Sequence, residues 1–387
     1  MPEKETMKID IYSEGDPWNP ANWSGTNYEL AVALKNLGVL RNAFNARPPQ
    51  EANILTRLLD ALGYVSLSGS RISYVKEHHP KYIKSRWKFA CNILRNNPGS
   101  DAIIMIGDIA PFKGSPFFTF QDLDVATILK WRKEGRKTFM FDHYPMSILN
   151  KRHELQKEVY ANASGIMVPS AWVADSIRSY VDCPEKIHVT GMGHGYKPVE
   201  MDDSLVQRRF EHPILLFVGK DGMRKGLDVA LSAFRSLLQE HPKAKMKVVT
   251  NCDMLPDRLK RELKSCSKLT MHSNLSSAGL SELYRSSSVF IMPSRFEAWG
   301  KVFFEAMSFG LPVIGTKCCA MPEFIIDGYN GYTATCDEFD VAKRAEDLLR
   351  SFDKYKETSR NALNTGEQYT WDNVARKMLK LIDDSIT

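Results

Sequence analysis

Short apolar segments alternate with amphipathic helical segments along the first half of the chain. Leu30, Leu34 and Leu37 recur at the three- and four-residue spacing of one helical face, and Gly38 follows them, as is typical just past a helix end. The segments that predict strands are residues 8–12, 102–106, 138–141, 165–168 and 186–190. Strands that alternate with helices predict a parallel sheet with helices on both faces.

The alternation stops at a polar stretch, residues 198–213, and then restarts. Strands are predicted in ILLFVG (214–219), MKVVT, KLTMH, VFIM and PVIGT, and a helix is predicted from about residue 227 to residue 240. The last segment, TWDNVARKMLKLI, has the apolar spacing of a helix. We therefore predict two doubly wound α/β domains, residues 1–200 and 201–365, followed by a C-terminal helix, 366–387.

The composition is that of an ordinary folded protein. Of the 387 residues, 43% are hydrophobic and 25% are charged. No apolar run approaches the roughly 18 residues of a membrane span, and MPEKETMKID lacks the apolar core of a secretion signal. The seven cysteines show no CxxC pair and no metal-binding spacing. We expect reduced thiols and a cytoplasmic protein.

The charge of the chain argues against nucleic acid as a partner. The net charge is only +6, and no nucleic-acid recognition motif is present. One basic stretch, residues 78–97, interleaves Lys and Arg with aromatic and aliphatic residues. Two interpretations stay open for it. Either a helix lies there on an anionic membrane surface, or an ordinary surface helix packs its aromatic side into the core.

The segment PSRFEAWGKVFFEAMSFGLPVI (293–314) carries the most chemical information. Glu297 and Glu305 are separated by seven residues, and a short loop leads into a helix predicted to start at about Lys301. A helix start offers free N–H groups and a partial positive charge, which suit a phosphate. A diphosphate seated there would leave the adjoining ribose near Glu305 and a distal sugar near Glu297. The residues that would seat the diphosphate are Trp299, Gly300, Lys301 and Val302.

These residues resemble the donor-binding signature of retaining glycosyltransferase family 4, whose members have the GT-B fold. FVGKDGMRKGLD (217–228) resembles the family's phosphate-binding strand, loop and helix. LSELYRSSSVFIMPS and MPEFIIDGYNGY resemble the segments on either side of the Glu pair. The resemblance is strong over about 205–387 and looser over 1–200. It implies two Rossmann-like domains that face a central cleft, with the C-terminal helix crossing back to the N-terminal acceptor domain.

The resemblance also implies a role for the charged residues of the donor domain. Glu305 corresponds to the residue that holds the ribose hydroxyls, and Glu297 to the residue near the donor sugar. Lys220 and Lys225 fall where the family has a basic pair on the pyrophosphate, although the first is more usually Arg. Arg224 is a further candidate for this role. Cations there would stabilise the charge that remains on the nucleotide when the sugar departs.

In the first domain the resemblance points to Ser24-Gly25 and to His143. Ser24-Gly25 opens the first long helix, where the family usually has two glycines that touch the donor phosphate through backbone N–H groups. An ordinary Ser N-cap is the alternative. His143, in FDHYP (141–145), corresponds to a family histidine that lies against the donor sugar. A structural histidine is the alternative there.

Two segments depart from the family pattern. GMGHGYKP (191–198) has His194-Gly195 in place of an Asn-Gly pair, and we interpret it as a hinge rather than as the site of a catalytic histidine. CCAMPE (318–323) has Cys319-Ala320 in place of paired glycines, which changes the loop on the sugar side. A disulfide between the adjacent Cys318 and Cys319 is not expected, because neighbouring cysteines rarely form an unstrained bridge.

The sequence thus favours a metal-independent retaining hexosyltransferase whose substrate is a nucleotide sugar and which needs no cofactor. GDP-mannose is the favoured donor and UDP-glucose the alternative. The acceptor would be a glycan, a lipid or a glycoprotein, and a homodimer stays open. Three rival classes are a GT-B nucleotide-sugar epimerase, a phosphorylase with a pyridoxal cofactor and a non-catalytic sugar-nucleotide-binding protein. The spaced Glu pair with its flanking motifs argues against the epimerase.

Overall fold

The computed structural model describes residues 7–49, 62–68, 71–273 and 275–386. The chain divides into two compact units, one of residues 1–193 with 371–387 and one of residues 194–370. Each unit is built around its own six-stranded sheet, in which all neighbouring strands are parallel. The alternation of strands and helices along the sequence predicts this α/β architecture, and the structure confirms it.

The first unit has the strand order β2-β1-β5-β6-β7-β8, and β3 and β4 form a separate antiparallel pair. Its strands are β1 Ile9–Ser13, β2 Leu40–Asn45, β3 Val65–Ser68, β4 Arg71–Tyr74, β5 Ala102–Ile106, β6 Phe117–Phe120, β7 Gly165–Val168 and β8 Ile187–Val189. Its helices before the final one are α1 Thr26–Asn36, α2 Pro80–Asn96, α3 Val125–Lys133, α4 Met146–Asn162 and α5 Ala171–Arg178. Strands β5 and β7 are buried along their whole length, which is why their sequences, AIIMI and GIMV, are continuously apolar.

The second unit has the strand order β11-β10-β9-β12-β13-β14. Its strands are β9 Ile214–Val218, β10 Lys245–Val249, β11 Leu269–His272, β12 Val289–Ile291, β13 Val313–Thr316 and β14 Gly331–Ala334. Its helices are α6 Asp203–Glu211, α7 Leu227–Glu240, α8 Asp257–Ser265, α9 Ser277–Ser286, α10 Lys301–Met307, α11 Met321–Phe324, α12 Glu338–Leu349 and α13 Phe352–Gln368. In this half of the chain every strand predicted from the sequence is present, with ends that differ by one or two residues.

The final helix, α14 Trp371–Ile386, packs within the first unit. The Trp371 indole is 3% exposed and its Nε1 donates a hydrogen bond to Glu29 Oε2 at 2.8 Å. Its ring lies 6.0 Å from the ring of Phe120 in β6. Gly193 lies against the same tryptophan so closely that a Cβ atom there would come within 2.6 Å of it. Burial of this large aromatic side chain therefore fixes the return of the chain to the first sheet.

The strand predicted at residues 138–141 is wrong, because Phe139–Phe141 form a 3-10 helix. The Asp142 carboxylate accepts hydrogen bonds from the Thr138 N–H at 2.8 Å and from the Thr138 hydroxyl at 2.6 Å. Phe139 has a positive φ of 54°, which no strand residue adopts. The local side-chain hydrogen bonds thus satisfy the backbone that a strand would otherwise have paired.

The sequence pattern missed β6, FFTF, and it also missed β2, the antiparallel pair β3 and β4, and β14. Strand β6 has the same length and aromatic character as the wrongly predicted TFMF, so apolar pattern alone does not separate them. In the structure β6 pairs with β5 on one side and β7 on the other, and all four of its residues are buried. The position in the sheet, and not composition, decides between the two segments.

The basic stretch at 78–97 forms α2, and its apolar side packs into the first unit. Ile83 is fully buried, and Trp87 and Leu94 pack against the hydrophobic core. Lys84 is exposed, but Arg86 is only 4% exposed and belongs to an internal ion-pair cluster. The second interpretation, a surface helix with its aromatic side in the core, therefore describes the structure of this helix.

Candidate active site

Two loops bring the predicted donor-site charges together at one edge of the second sheet. Strands β9 and β12 are parallel neighbours; Lys225 follows the end of β9, and Glu297 follows the end of β12. The carboxyl ends of parallel strands are where such sheets bind ligands. Gly226 has a φ of +77°, and a Cβ atom there would lie 2.1 Å from the Pro293 carbonyl oxygen. Glycine is therefore required for the two loops to approach this closely.

Lys225 and Glu297 form a direct ion pair, with the lysine Nζ on the Oε2 atom of the carboxylate. Arg224 Nη1 lies 3.5 Å from the same oxygen and donates to the Phe296 carbonyl at 2.7 Å. The three charged side chains are only 11–12% exposed. The sequence predicts Lys225 as a phosphate ligand and Glu297 as a sugar ligand. It does not predict that the two side chains contact each other.

Partial burial and the neighbouring charges act on the pKa values of both Glu297 and Lys225, but the balance between them differs. Burial alone would raise the pKa of the Glu297 carboxyl, but the charges of Lys225 and Arg224 outweigh burial and hold that pKa below its usual range. For Lys225, burial is the larger influence, and its pKa is lowered in spite of the Glu297 charge. Glu297 is therefore ionised at neutral pH, and Asp221, whose Oδ2 lies 3.5 Å from Arg224 Nε, is the second carboxylate beside these cations.

A bidentate ion pair fastens the two loops to each other. Arg295 donates from Nη1 and Nη2 to the two carboxylate oxygens of Asp228 at 2.7 and 2.8 Å. Its backbone N–H also donates to the Arg224 carbonyl at 2.9 Å, and its Nη1 to the Met223 carbonyl at 2.7 Å. These contacts hold Lys225 and Glu297 at a set distance, which no signal in the sequence indicated.

Glu305 lies one turn inside α10, and its side chain is nearly buried. The residue is 6% exposed, and its Oε2 accepts a hydrogen bond from the Tyr284 hydroxyl at 2.9 Å. Lys301 Nζ lies 3.6 Å from Oε1, an i,i+4 pair along the helix. Each carboxylate oxygen therefore has a neighbour on the protein and retains lone pairs for other donors.

In the loop before α10, Gly300 has a left-handed backbone and the Trp299 side chain is buried. Gly300 has a φ of +85°, and a Cβ atom there would lie 2.8 Å from Phe303. The Trp299 indole is only 3% exposed and stacks on Phe304 with ring centroids 4.7 Å apart. The Trp299 side chain thus belongs to the core, so only its backbone is available for the predicted donor contact. Val302 lies in the first helical turn, as predicted.

The remaining predicted residues of this unit lie around the same loops. Lys220 is exposed and comes directly after the end of β9 and Gly219. The adjacent Cys318 and Cys319 have their sulfur atoms 3.4 Å apart, and Cys318 Sγ lies 3.4 Å from the Arg295 carbonyl oxygen. No disulfide joins any two of the seven cysteines, all of which lie in the described chain.

The segment before α1 has an unusual backbone. Trp23, Ser24 and Gly25 all lie in the left-handed region, with φ values of 48°, 54° and 85°. Such conformations are uncommon for residues other than glycine and cluster at functional sites. Gly25, and not Ser24, is the N-cap of the helix, and no side chain caps it. The alternative of an ordinary Ser N-cap is therefore wrong.

His143 is exposed and lies between the 3-10 helix and α4. Its ring is 4.0 Å from the ring of the buried Tyr144. His194, which we interpret as part of a hinge, is instead 1% exposed, and its Nε2 lies 2.9 Å from the Gly366 carbonyl oxygen. His143 thus has the solvent access that a substrate-contacting histidine needs, whereas His194 does not.

A buried charge cluster in the first unit escaped the sequence analysis. Glu14 follows β1 and Asp108 follows β5, so both lie at the carboxyl edge of adjacent parallel strands. Arg86 pairs with Glu14 at 2.5 Å, and Arg152 pairs with Asp108 at 2.5 Å. A signal was available, since an acidic residue within two positions of a buried parallel strand marks this edge. His78, beside the cluster, has its pKa lowered to about 3 by burial and by the Arg152 charge.

The described residues hold neither a metal-binding cluster nor a helix that could span a membrane. In the ranges 7–49, 62–68, 71–273 and 275–386, no group of three His, Cys, Asp or Glu side chains is placed to hold a metal ion. Over the same part of the chain, no helix combines the length and apolar character that crossing a bilayer demands.

One known family resembles most of the second unit. Residues 205–365 match the model of the family described as "Glycosyl transferases group 1". Among curated proteins, the MMP alpha-(1->4)-mannosyltransferase of Mycolicibacterium hassiacum is 26% identical over 280 residues, which is 70% of this chain and 64% of that protein. The alignments to three further curated relatives span 34–48% of those proteins' own length.

Solved structures extend the likeness to both units. Sucrose-phosphate synthase from Thermosynechococcus elongatus matches with a TM-score of 0.70 at 16% identity, over 98% of each chain. Anabaena Alr3699/HepE, solved in complex with UDP and glucose, matches with a TM-score of 0.64 at 15% identity, over 97% of this chain and 99% of that one. Together with the two parallel six-stranded sheets, this likeness confirms the GT-B fold that the sequence predicted.

Proposed function

Because residues 205–365 match the model of the group 1 glycosyl transferases, we propose that this protein transfers a hexose from a nucleotide diphosphate sugar to an acceptor hydroxyl, with retention of anomeric configuration. The donor nucleotide would bind the second unit at the carboxyl edge of β9 and β12. Glu305 would accept hydrogen bonds from the ribose. Glu297 would contact the sugar, and Lys225 the diphosphate.

The observation that carries this proposal is the cluster of Lys225, Arg224 and Glu297. Two cations and one carboxylate, each at most 12% exposed, meet at the edge where parallel sheets bind ligands. Asp221 Oδ2 lies 3.5 Å from Arg224 Nε, so the charges of the cluster are balanced before a ligand enters. A diphosphate that enters it would gain charge-assisted hydrogen bonds in a partly desolvated site, where they are stronger than in water.

The same charges suit the departure of a nucleoside diphosphate. When the glycosidic bond to the phosphate breaks, one more negative charge develops on the diphosphate and positive charge develops on the sugar ring. Lys225 and Arg224 would stabilise the first, and the ionised Glu297 would stabilise the second. The departing phosphate oxygen would take the proton of the acceptor hydroxyl, which attacks from the same face. No protein nucleophile and no cofactor is part of this proposal.

The similar proteins suggest which nucleotide sugars to test as the donor, and the proposed reaction requires an acceptor with a hydroxyl group. GDP-mannose remains the first donor to test and UDP-glucose the second, in keeping with a mannosyltransferase and a UDP- and glucose-binding protein among the similar proteins. The acceptor would be the hydroxyl group of a glycan, a lipid or a glycoprotein. We further propose that the protein acts in the cytoplasm, where nucleotide sugars are the donors.

Calorimetric titration with a panel of nucleotide sugars and nucleoside diphosphates tests the proposal directly. The wild-type protein should bind one nucleotide series, both with and without the sugar. Glu305→Ala should weaken both forms at least tenfold, because it removes charge-assisted hydrogen bonds of about 1.5–3 kcal/mol to the shared ribose. Glu240→Ala, at an exposed position at the end of α7, is the matched control and should bind as the wild type does. A folded wild-type protein that binds no member of the panel would refute the proposed function.

A further inference from the structure

The carboxylate of Glu305 is held by a buried tyrosine of another helix. Tyr284, in α9, is fully buried, and its hydroxyl donates to Glu305 Oε2 at 2.9 Å across 21 residues of sequence. We propose that Tyr284 is a positioning residue for nucleotide recognition, which orients Glu305 toward the ribose of the donor. This inference rests on the proposed function, since it assigns the ribose to Glu305.

The tyrosine ring is itself locked in place. It stacks on Phe309 with centroids 5.4 Å apart and an angle of 23° between the ring planes, and it lies 5.8 Å from the Tyr196 ring. Aromatic packing of this kind removes the freedom of the ring while leaving the hydroxyl at a set point. The hydroxyl can therefore hold the carboxylate without a loss of side-chain entropy when the ligand binds.

The hydroxyl is a permanent donor in this environment. Burial and the neighbouring Glu305 charge raise the pKa of Tyr284 well above its usual value, so the phenol stays protonated. One lone pair of Oε2 is occupied by this bond, and Oε1 lies 3.6 Å from Lys301 Nζ. These two contacts fix the rotation of the carboxylate about its last bond. The lone pairs that remain are then presented in one orientation, as two adjacent ribose hydroxyls require.

Two substitutions of tyrosine by phenylalanine test this role, one as the variant and one as its matched control. Tyr284→Phe keeps the stacked ring and removes only the hydroxyl. Tyr355 is also fully buried, and its hydroxyl donates to the Ser288 carbonyl at 2.9 Å in the same unit, with no carboxylate involved. Tyr355→Phe therefore removes an equivalent buried hydrogen bond and reports what such a loss does to stability alone.

The experiment compares ribose and deoxyribose ligands. GDP, UDP and their 2′-deoxy forms are titrated into the wild type, Tyr284→Phe, Tyr355→Phe, Glu305→Ala and the double variant Tyr284→Phe/Glu305→Ala. In Tyr284→Phe, the preferred ribonucleotide should bind about three- to tenfold more weakly, and the preference for ribose over deoxyribose should shrink. The double variant should bind no more weakly than Glu305→Ala, because the tyrosine acts through the glutamate.

Steady-state kinetics supply a second readout. Tyr284→Phe should raise the KM for the donor and leave kcat nearly unchanged, because the ribose is held equally in the ground state and the transition state. An unaltered ribose preference in Tyr284→Phe, or losses that add to those of Glu305→Ala, would overturn the inference while the proposed function stands. A wild-type protein that binds neither GDP nor UDP would overturn both.

Discussion

Lys225 and Glu297 are 72 residues apart in the sequence and in direct contact in the structure, where they neutralise each other within two adjacent loops. Both belong to the proposed donor site. A nucleotide sugar that uses both residues must take over part of this ion pair, with the diphosphate drawing on Lys225 and the sugar on Glu297. The pair is therefore the free-state form of the site, and its disruption gives the first prediction.

Glu297→Gln should separate binding from transfer. The substitution removes the charged partner of Lys225, whereas Arg224 keeps Asp221, so the free protein should lose about 3 kcal/mol of stability. Nucleoside diphosphate should bind the variant at least as tightly as it binds the wild type. It should also raise the unfolding temperature of the variant by more than it raises that of the wild type. Transfer of the sugar should fall sharply, since a contact to the sugar matters most as charge develops. Thermal unfolding with and without nucleotide, together with an activity assay, measures all three effects.

The division of roles between the two glutamates depends on that result. If Glu297→Gln lost nucleoside diphosphate binding as strongly as Glu305→Ala, the assignment of Glu297 to the sugar would be wrong.

Chelators should not abolish activity. Lys225, Arg224 and Lys220 can supply the positive charge that a divalent ion gives at other phosphate sites. Donor consumption and transfer should therefore persist in excess EDTA at close to the untreated rate. The measurement is nucleoside diphosphate release before and after EDTA, with magnesium or manganese added back. Complete loss that either ion restores would show that the site needs a metal.

His143→Ala should affect transfer and not nucleotide binding. His143 is exposed in the first unit, whereas the residues assigned to ribose and diphosphate belong to the second. If the imidazole contacts the donor sugar, its loss should lower the rate of transfer about 10²-fold, a typical size for a positioned polar group. The affinity for nucleoside diphosphate should stay within about twofold of the wild type.

A matched control for this variant is His212→Ala, at an exposed histidine of the second unit. If His143→Ala transferred sugar at the wild-type rate, His143 would be a structural histidine.

The stability of the protein should fall in mild acid through His78. Its pKa of about 3 lies far below the value of about 6.5 expected for the unfolded chain, because burial and the charge of Arg152 disfavour the imidazolium. Arg86 adds to this effect, whereas Asp108 and Glu14 oppose it. Between these two pH values the unfolded state binds a proton that the folded state does not. Stability should therefore drop as pH falls from roughly 6.5 toward 3, by at most about 1.4 kcal/mol per pH unit.

Urea unfolding as a function of pH measures this dependence, and His78→Gln removes the titrating group. The variant should show a flatter decline in the free energy of unfolding between about pH 6.5 and pH 4. Equal slopes in the two proteins would mean that other groups govern the acid sensitivity.

The sequence by itself determined the α/β architecture and the helix start at which the donor site is predicted. Alternating strands and helices suffice for the α/β class, because the period of apolar residues is a local property. The helix that begins at Lys301, with Gly300 before it and Glu305 one turn inside, was equally local and is present as predicted. The contact of Lys225 with Glu297 could not be predicted, because nothing in the sequence gives the distance between two loops that follow adjacent strands.

Only the tertiary structure decided which apolar segment became a strand and which polar groups met. FFTF became the central strand β6. In TFMF, Phe139–Phe141 instead form a 3-10 helix, and the Asp142 carboxylate accepts a hydrogen bond from the Thr138 hydroxyl. In the same way, the Tyr284 hydroxyl met the Glu305 carboxylate 21 residues further along the chain, and the Trp299 side chain entered the core although it stands in the predicted donor-binding loop. Local periodicity specifies an element and its buried face, but side-chain partners are chosen by packing between elements that are distant in sequence.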